Sequence, residues 1–220
     1  MTDIRICIPW GFDFEHAKSG LRDLRLKGEA RGKDIYSFEG YTFDVEPRQG
    51  SPNVQRTRNS LLTDFNKPGG NKNLLNYDYF FFVDSDIVWK MDYLIKLLQH
   101  EVDVCCAPYI MRGGSFYDCG LWKDKPGPVL KRFETSETGF KPIHFTGAGF
   151  LLIARSALER LEYPYFRYVD FIDSDGMLEQ MGHDWGFCAQ CKEKGIRIWC
   201  DFDINIAHKP KNPSAGDWLY

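Results

Sequence analysis

Two hundred and twenty residues at 25.6 kDa suffice for one large domain or two small ones, with a core that needs no disulfide or metal staple, and this excludes the mini-protein classes. Hydrophobic residues at 43% and charged residues at 27% are average for a folded chain, and aromatics at 15% are high, which excludes disordered and fibrous classes. A formal net charge of −3, with Lys and Arg spread along the chain, argues against nucleic acid or an anionic membrane as a bulk partner and leaves a small one.

Ile4 to Pro9 is a short β-branched run that predicts a strand. Asn53 to Phe65 carries Val54, Leu61, Leu62 and Phe65 on one side of a helical period. Tyr79 to Val83 (YFFFV) is a continuous apolar run ending at polar Asp84, the pattern of a strand covered on both faces. Met91 to Leu98 repeats Met91, Leu94, Ile95, Leu97 and Leu98 at helical spacing. Val102 to Pro108 and Gly149 to Ile153 predict buried strands, Arg155 to Leu161 and Asp184 to Lys194 helices, and Arg197 to Cys200 and Ile204 to Ala207 further strands. Gly and Pro concentrate at 47–52, 67–70, 113–114, 120–128 and 209–216, which predicts loops. Strand and helix alternate without repeat or linker, so the expectation is a single α/β domain over residues 1–220 with a flexible C-terminal segment, 209–220.

No apolar stretch approaches the roughly 18 residues of a membrane span, and the start, MTDIRICIPW, lacks the layout of a signal peptide. Seven cysteines, an odd count lying mostly in apolar runs, point to buried free thiols and a cytoplasmic protein. Cys188 and Cys191 form a lone C-x-x-C, which reads as packing rather than a zinc knuckle.

In open α/β sheets ligands bind beyond the carboxyl ends of the strands, so polar residues that follow apolar runs are the first candidates for chemistry. Asp84-Ser85-Asp86 leaves YFFFV with two carboxylates one residue apart. Close anions repel, a divalent cation removes that cost, and hard oxygen ligands suit Mg²⁺ or Mn²⁺. The same residues also read as an Asp-rich turn in which Asp86 or Asp92 caps the helix from Met91. His208 ends INIAH and is followed by Lys209 and Lys211; the group reads either as a metal ligand beside phosphate-neutralising ammoniums or as a surface histidine and a solvated tail. Gly182-His183-Asp184-Trp185 opens a helix, where Asp184 is either a general base or a carboxylate favouring the helix dipole.

Taken together, YFFFVDSDIVWKMDYLIKLLQHEVDVCCAPY, FTGAGFLLIARSALERL and MGHDWGFCAQCKEKGIRIWCDFDINIAH, with their spacing over roughly residues 54–208, resemble the GT-A type of nucleotide-sugar-dependent glycosyltransferase. The resemblance implies a single Rossmann-like domain whose mixed, mainly parallel central sheet is flanked by helices. It implies Mn²⁺ or Mg²⁺ held by Asp84, Asp86 and His208 with the donor diphosphate, Asp86 being the firmer ligand, and Asp184 as the base. His183 stands where the family pattern has Glu. Pro9 and Trp10 occupy the place of the nucleotide base, where Trp10 is either a stacking surface or a core residue. Arg56-Thr57-Arg58-Asn59 resembles the family's A-R-N element with Thr57 replacing Ala; Arg58 pairs with donor phosphate or with Asp84, and Asn59 reaches the nucleotide, unless this is simply an exposed helix face. Thr146-Gly147-Ala148-Gly149 lines the donor sugar through the Ala148 and Gly149 amides or is a tight turn. Ser85 and Lys209 complete the donor contacts, Trp185 shapes the acceptor face, and the C-terminal segment orders as a lid or frays.

The implied reaction moves a sugar, with a UDP-sugar such as UDP-glucose as donor, to a hydroxyl-bearing acceptor, with inversion. Asp173 and Asp175 in FIDSDGM are alternative acceptor-contacting acids or solvated loop residues. A sugar-phosphate nucleotidyltransferase is the competing enzyme class, disfavoured because IRICIPWGFDF has only Gly11 where a Gly-rich loop is expected. A non-catalytic carbohydrate-binding domain accounts for the aromatics but leaves the paired strand-end acids without a purpose.

Overall fold

Residues 2–10, 17–49, 53–63, 76–110, 115–123, 130–172 and 176–208 are described by the computed structural model, apart from the side chains of Trp10, Gln49 and Leu130. The chain runs through β1 (Thr2–Trp10), α1 (Lys18–Lys27), the strands β2 (Glu29–Gly32), β3 (Ile35–Phe38) and β4 (Tyr41–Gln49), and α2 (Val54–Leu62). β5 (Tyr79–Val83) and the short β6 (Ile87–Val88) lead to α3 (Met91–Gln99) and β7 (Val104–Cys106). β8 (Phe116–Trp122), β9 (Leu130–Glu134), β10 (Phe140–Ile143) and β11 (Phe145–Thr146) precede β12 (Phe150–Ala154) and α4 (Arg155–Arg160). The antiparallel pair β13 (Val169–Ile172) and β14 (Leu178–Met181) enters α5 (His183–Glu193), followed by β15 (Ile198–Asp201) and β16 (Ala207–His208).

Among the described residues nine strands form one sheet in the order β10-β15-β7-β12-β5-β1-β4-β3-β2. β1 pairs in parallel with β4 and β5, and β15 with β7, while β12 runs antiparallel between β5 and β7. The result is a mixed α/β fold whose large sheet has most strands pointing one way and helices on both faces.

The two-residue period of the strands decides what each face buries. Phe80 and Phe82 of β5, with Leu151 and Ile153 of β12, pack with Leu61 of α2, Leu158 of α4 and Phe187 of α5. Their neighbours Phe81, Val83, Phe150 and Leu152 pack with Leu21 and Leu24 of α1 and Leu94 and Leu98 of α3. The Phe81 ring meets Phe150 at 4.8 Å and Trp89 at 5.2 Å between centroids, both edge-on, the arrangement that ring quadrupoles favour.

Three predicted stretches differ. Residues 47–49 extend β4 rather than forming a loop; β3 covers only Tyr41–Asp44, so the proline at 47 sits where that side of β4 is an edge and no ladder donor is missed. Residues 120–122 belong to β8, which pairs with β9. The strand predicted over Ile204 to Ala207 shrinks to Ala207–His208, because the Ile204 amide turns back to the Asp201 carbonyl at 3.3 Å. All seven cysteines are buried free thiols, with Cys188 and Cys191 inside the core as packing residues. No helix among the described residues is long and apolar enough to cross a membrane.

Candidate functional site

Val83 at the end of β5 stands opposite Phe150 at the start of reversed β12, so the chain leaving one strand and the chain entering the other share one edge of the sheet. The Asp84 amide donates to the Gly149 carbonyl at 3.0 Å and ties the two segments together. α2, begun by the Asn53 side chain accepting from the Arg56 amide at 3.1 Å, packs on β1 and β4 and turns Arg58 toward that edge. α5 starts there with His183 and Asp184 in its first turn.

Arg58 joins these pieces. Its Nη2 donates to both Asp84 oxygens, at 2.7 and 2.9 Å, and its Nη1 to Asp184 Oδ1. The residue is 3% exposed. Burial opposes the guanidinium charge, but Asp184 and Asp84 outweigh it and hold Arg58 firmly protonated. Asp84 is held above the usual carboxylate range by burial and by Asp86 and Asp184, against the pull of Arg58. Asp184 goes the other way. Burial pushes it up, yet Arg58, the His183 hydrogen bond and the Ala148 amide, which donates to Oδ2 at 3.2 Å, take it down to about 2.

That depression has a thermodynamic sign. A carboxyl lowered from 3.8 to about 2 on folding adds stability that is complete above its unfolded value and disappears as pH falls through the folded one. A protonated carboxyl and a carboxamide are alike in size and both uncharged, so the stability gap between the wild type and Asp184→Asn is expected to close by about 2 kcal/mol between about pH 5 and pH 2. Urea unfolding across that range measures it; a gap that stays constant would mean that Asp184 gains no charge-dependent stability from Arg58.

The second carboxylate of the pair has another partner. β16 pairs with β6, His208 opposite Ile87, and this seats His208 Nε2 3.2 Å from Asp86 Oδ2. His208 Nδ1 lies 3.2 Å from the Ile110 carbonyl, to which it donates its hydrogen. With a hydrogen on Nε2 as well, the two groups form an ion pair; without one, two acceptors face each other and the contact is favourable only with a cation between them. Among the described residues no three His, Cys, Asp or Glu side chains gather as a metal cage. The three expected metal ligands are thus divided: Asp86 and His208 face each other, and Asp84 is gripped by Arg58.

Beneath this edge lies a group that spacing alone did not single out. The Tyr109 hydroxyl, 8% exposed at the residue level, accepts the Gly149 amide at 3.3 Å and bonds Asp118, whose Oδ1 is 3.3 Å from Arg132 Nη1. A Cβ on Gly149 would stand 2.9 Å from Tyr109 Cζ, and one on Gly147 would meet the Tyr109 hydroxyl and Asp118 Oδ2. The two glycines therefore make room for Tyr109 and Asp118 rather than for a sugar. Asp118 is pushed up by burial and by Asp184. The Arg132 guanidinium lies 5.5 Å from the Trp185 ring and 5.7 Å from Phe145, and so packs against both rings. Tyr109 does follow the apolar run VDVCCAP directly, the signal that singled out Asp84, whereas Asp118 and Arg132 come together only through the β8–β9 pairing.

The remaining expected residues fall as follows. Asn59 is structural: its Nδ2 donates to the Phe166 and Gln55 carbonyls at 2.7 and 3.0 Å and its Oδ1 accepts the Phe166 amide at 3.1 Å, which uses the side chain up. Thr57 Oγ1 bonds the Asn53 carbonyl at 3.4 Å within α2. The Ser85 carbonyl accepts the Ala17 amide at 3.3 Å, and Trp185 packs on Phe145 at 4.9 Å. Pro9 is buried at the end of β1, and Trp10 ends that strand opposite Gln49. Asp173, Asp175, Lys209 and Lys211 lie outside the described residues. A shallow recess lined by Ile143, His144, Lys192, Ile196 and Arg197 contains none of the strand-end acids.

No family model matches the chain, and no curated protein matches it. Among solved structures, the crystal structure of A197 from STIV aligns with a TM-score of 0.52 at 17% identity, over 96% of this chain and 96% of that one. At that identity the likeness is one of fold, a large sheet with flanking helices over nearly the whole length.

Proposed function

We propose that the protein transfers a sugar from a nucleoside diphosphate sugar, a UDP-sugar such as UDP-glucose, to a hydroxyl acceptor, with a divalent cation and with inversion. The observation that supports it most is Asp86 facing His208 across 3.2 Å at the edge where β5 ends. An oxygen and an imidazole nitrogen this close are near enough to be shared by one ion, so Asp86 and His208 would hold Mg²⁺ or Mn²⁺ there. Mg²⁺ in particular is held by few side chains, its other positions going to water and substrate phosphates, which suits a two-residue set. When bound, the cation supplies electrostatic stabilisation of the departing diphosphate.

The chain's own residues divide the remaining work. Arg58 fixes Asp84 and with it the turn that presents Asp86. On the acceptor side the first turn of α5 presents His183, Asp184 and Trp185, the last supported by Phe145 and Arg132. The acceptor oxygen attacks the anomeric carbon in line as the carbon–oxygen bond to the diphosphate breaks.

Thermal unfolding with UDP or UDP-glucose tests the proposal. A ligand bound only by the folded state adds about 2.7 kcal/mol at one hundred times its Kd. The expected result is a rise in Tm when nucleotide and Mn²⁺ are present together, and little rise with either alone. No rise with millimolar UDP and Mn²⁺ together overturns the reading, and conversion of UTP and glucose 1-phosphate into UDP-glucose and pyrophosphate would assign the site to nucleotidyl transfer.

A further inference from the structure

We infer that His183 takes the proton from the attacking hydroxyl and that Asp184 is the positioning residue that orients its imidazole; the inference rests on the transferase reading above. The oxygens of Asp184 are occupied by donors: Oδ1 by Arg58 Nη1 and His183 Nδ1, Oδ2 by the Ala148 amide. A carboxylate so saturated, with its pKa taken down to about 2, lies far from the operating pH at which a general base works best.

The neighbouring imidazole is better disposed. His183 Nδ1 is 2.5 Å from Asp184 Oδ1 and 3.4 Å from Arg58 Nη1, so the carboxylate decides the tautomer. An ionised carboxylate only accepts, and therefore Nδ1 carries the hydrogen and Nε2 keeps the lone pair. A carboxylate bonded to one ring nitrogen while the other receives a proton is a recurrent catalytic arrangement. The ring is steadied by Tyr168 and Phe166, edge-on at 5.5 and 6.4 Å, and the side chain keeps 15% of its surface exposed. The titratable and charged groups facing it are Asp184 on its own helix, Arg58 from α2 and Tyr168 before β13. In the step itself the hydroxyl O–H bond breaks and its proton goes to Nε2. The oxygen pair forms the bond to the anomeric carbon, and the pair of the broken carbon–oxygen bond leaves with the diphosphate. Solvent then takes the proton from the imidazolium.

Two measurements test this. The first follows UDP release from UDP-glucose with Mn²⁺, water serving as acceptor, across pH for the wild type, His183→Ala, His183→Gln and Asp184→Asn, with the UDP–Mn²⁺ rise in Tm as the control for folding and donor binding. Both His183 variants are expected to keep that rise and to lose about 10²- to 10⁴-fold in rate together with the histidine limb of the pH profile. Added imidazole is expected to restore part of the rate to His183→Ala, and none to Asp184→Asn. Wild-type rate and profile in His183→Ala, with Asp184→Asn inactive, would make Asp184 the base and overturn the inference. The second measurement needs no turnover: histidine ¹⁵N shifts are expected to place the hydrogen on Nδ1 of His183 in the wild type, and a hydrogen on Nε2 at neutral pH overturns the inference. If UDP and Mn²⁺ give the wild type no rise in Tm, the transferase reading fails first and the inference falls with it.

Discussion

Arg58→Met is expected to destabilise the fold by about 3–5 kcal/mol, the cost of removing one partner from a buried ionic cluster. Arg58 is 3% exposed and neutralises Asp84 and Asp184, whose side chains are 31% and 23% exposed. Without it the two carboxylates raise each other's energy in a partly desolvated position, and the links from α2 to the end of β5 and the start of α5 are lost. Arg58→Lys keeps a charge but not the fork that serves both acids, so an intermediate loss is expected. The triple variant Arg58→Met, Asp84→Asn, Asp184→Asn separates charge from packing. It is expected to recover much of the loss, because no unpaired ion is left behind. Urea unfolding of the four proteins at one pH measures all of this, and a change below about 1 kcal/mol in Arg58→Met would show that the cluster is solvated and that its ion pairs contribute little.

Asp86→Ala has a large expected effect of the opposite kind. Replacing groups that merely orient metal ligands costs 10- to 100-fold in affinity, so removing a ligand itself is expected to weaken Mn²⁺-dependent UDP binding by at least about 100-fold. Stability without ligand is expected to change by no more than about 1 kcal/mol, since what Asp86 loses is chiefly its contact with the partly exposed His208. His208→Ala should behave similarly. Asp84→Ala should not, because it also strips Arg58 of a partner and loses stability with affinity. Calorimetric titration of UDP with and without Mn²⁺ distinguishes these cases; unchanged Mn²⁺ dependence in Asp86→Ala removes the cation from Asp86.

The parts of the fold that could be read from the chain are those buried on both sides. YFFFV is β5 to the residue and the Met91 helix starts where expected, because a continuous or strongly periodic apolar run leaves little choice, whereas the helix from His183, which begins within a residue of its expected end, buries Gly186 to Cys191 without such a period. α1 gave no such signal. It buries only Gly20, Leu21 and Leu24, has no side-chain cap, and is held by Trp89 packed where a Gly20 Cβ would be. β2 is exposed along its whole length and β3 half-buried, so neither alternates in a way that a sequence displays. At the site, Asp84, Asp86 and Asp184 were recognisable as polar residues after apolar runs or at a helix start. Their partners were not, since the division of the acid pair between Arg58 and His208 depends on α2 lying over β1 and on two-residue β16 reaching β6. Asn59 shows the converse. It stands at the expected place beside Arg58, yet its amide is satisfied by Phe166, more than one hundred positions further along.

The direction of β12 has a consequence for how the acids are held. A parallel strand brings its carboxyl end to this rim; a reversed one brings its amino end, and with it backbone N–H groups, the positive poles of peptide dipoles. The Ala148 amide reaches Asp184 and the Gly149 amide reaches Tyr109, so main chain supplies part of the positive potential that would otherwise require another lysine or arginine. Main-chain dipoles do not titrate and are lost only to proline, so a single buried guanidinium suffices where two anions meet.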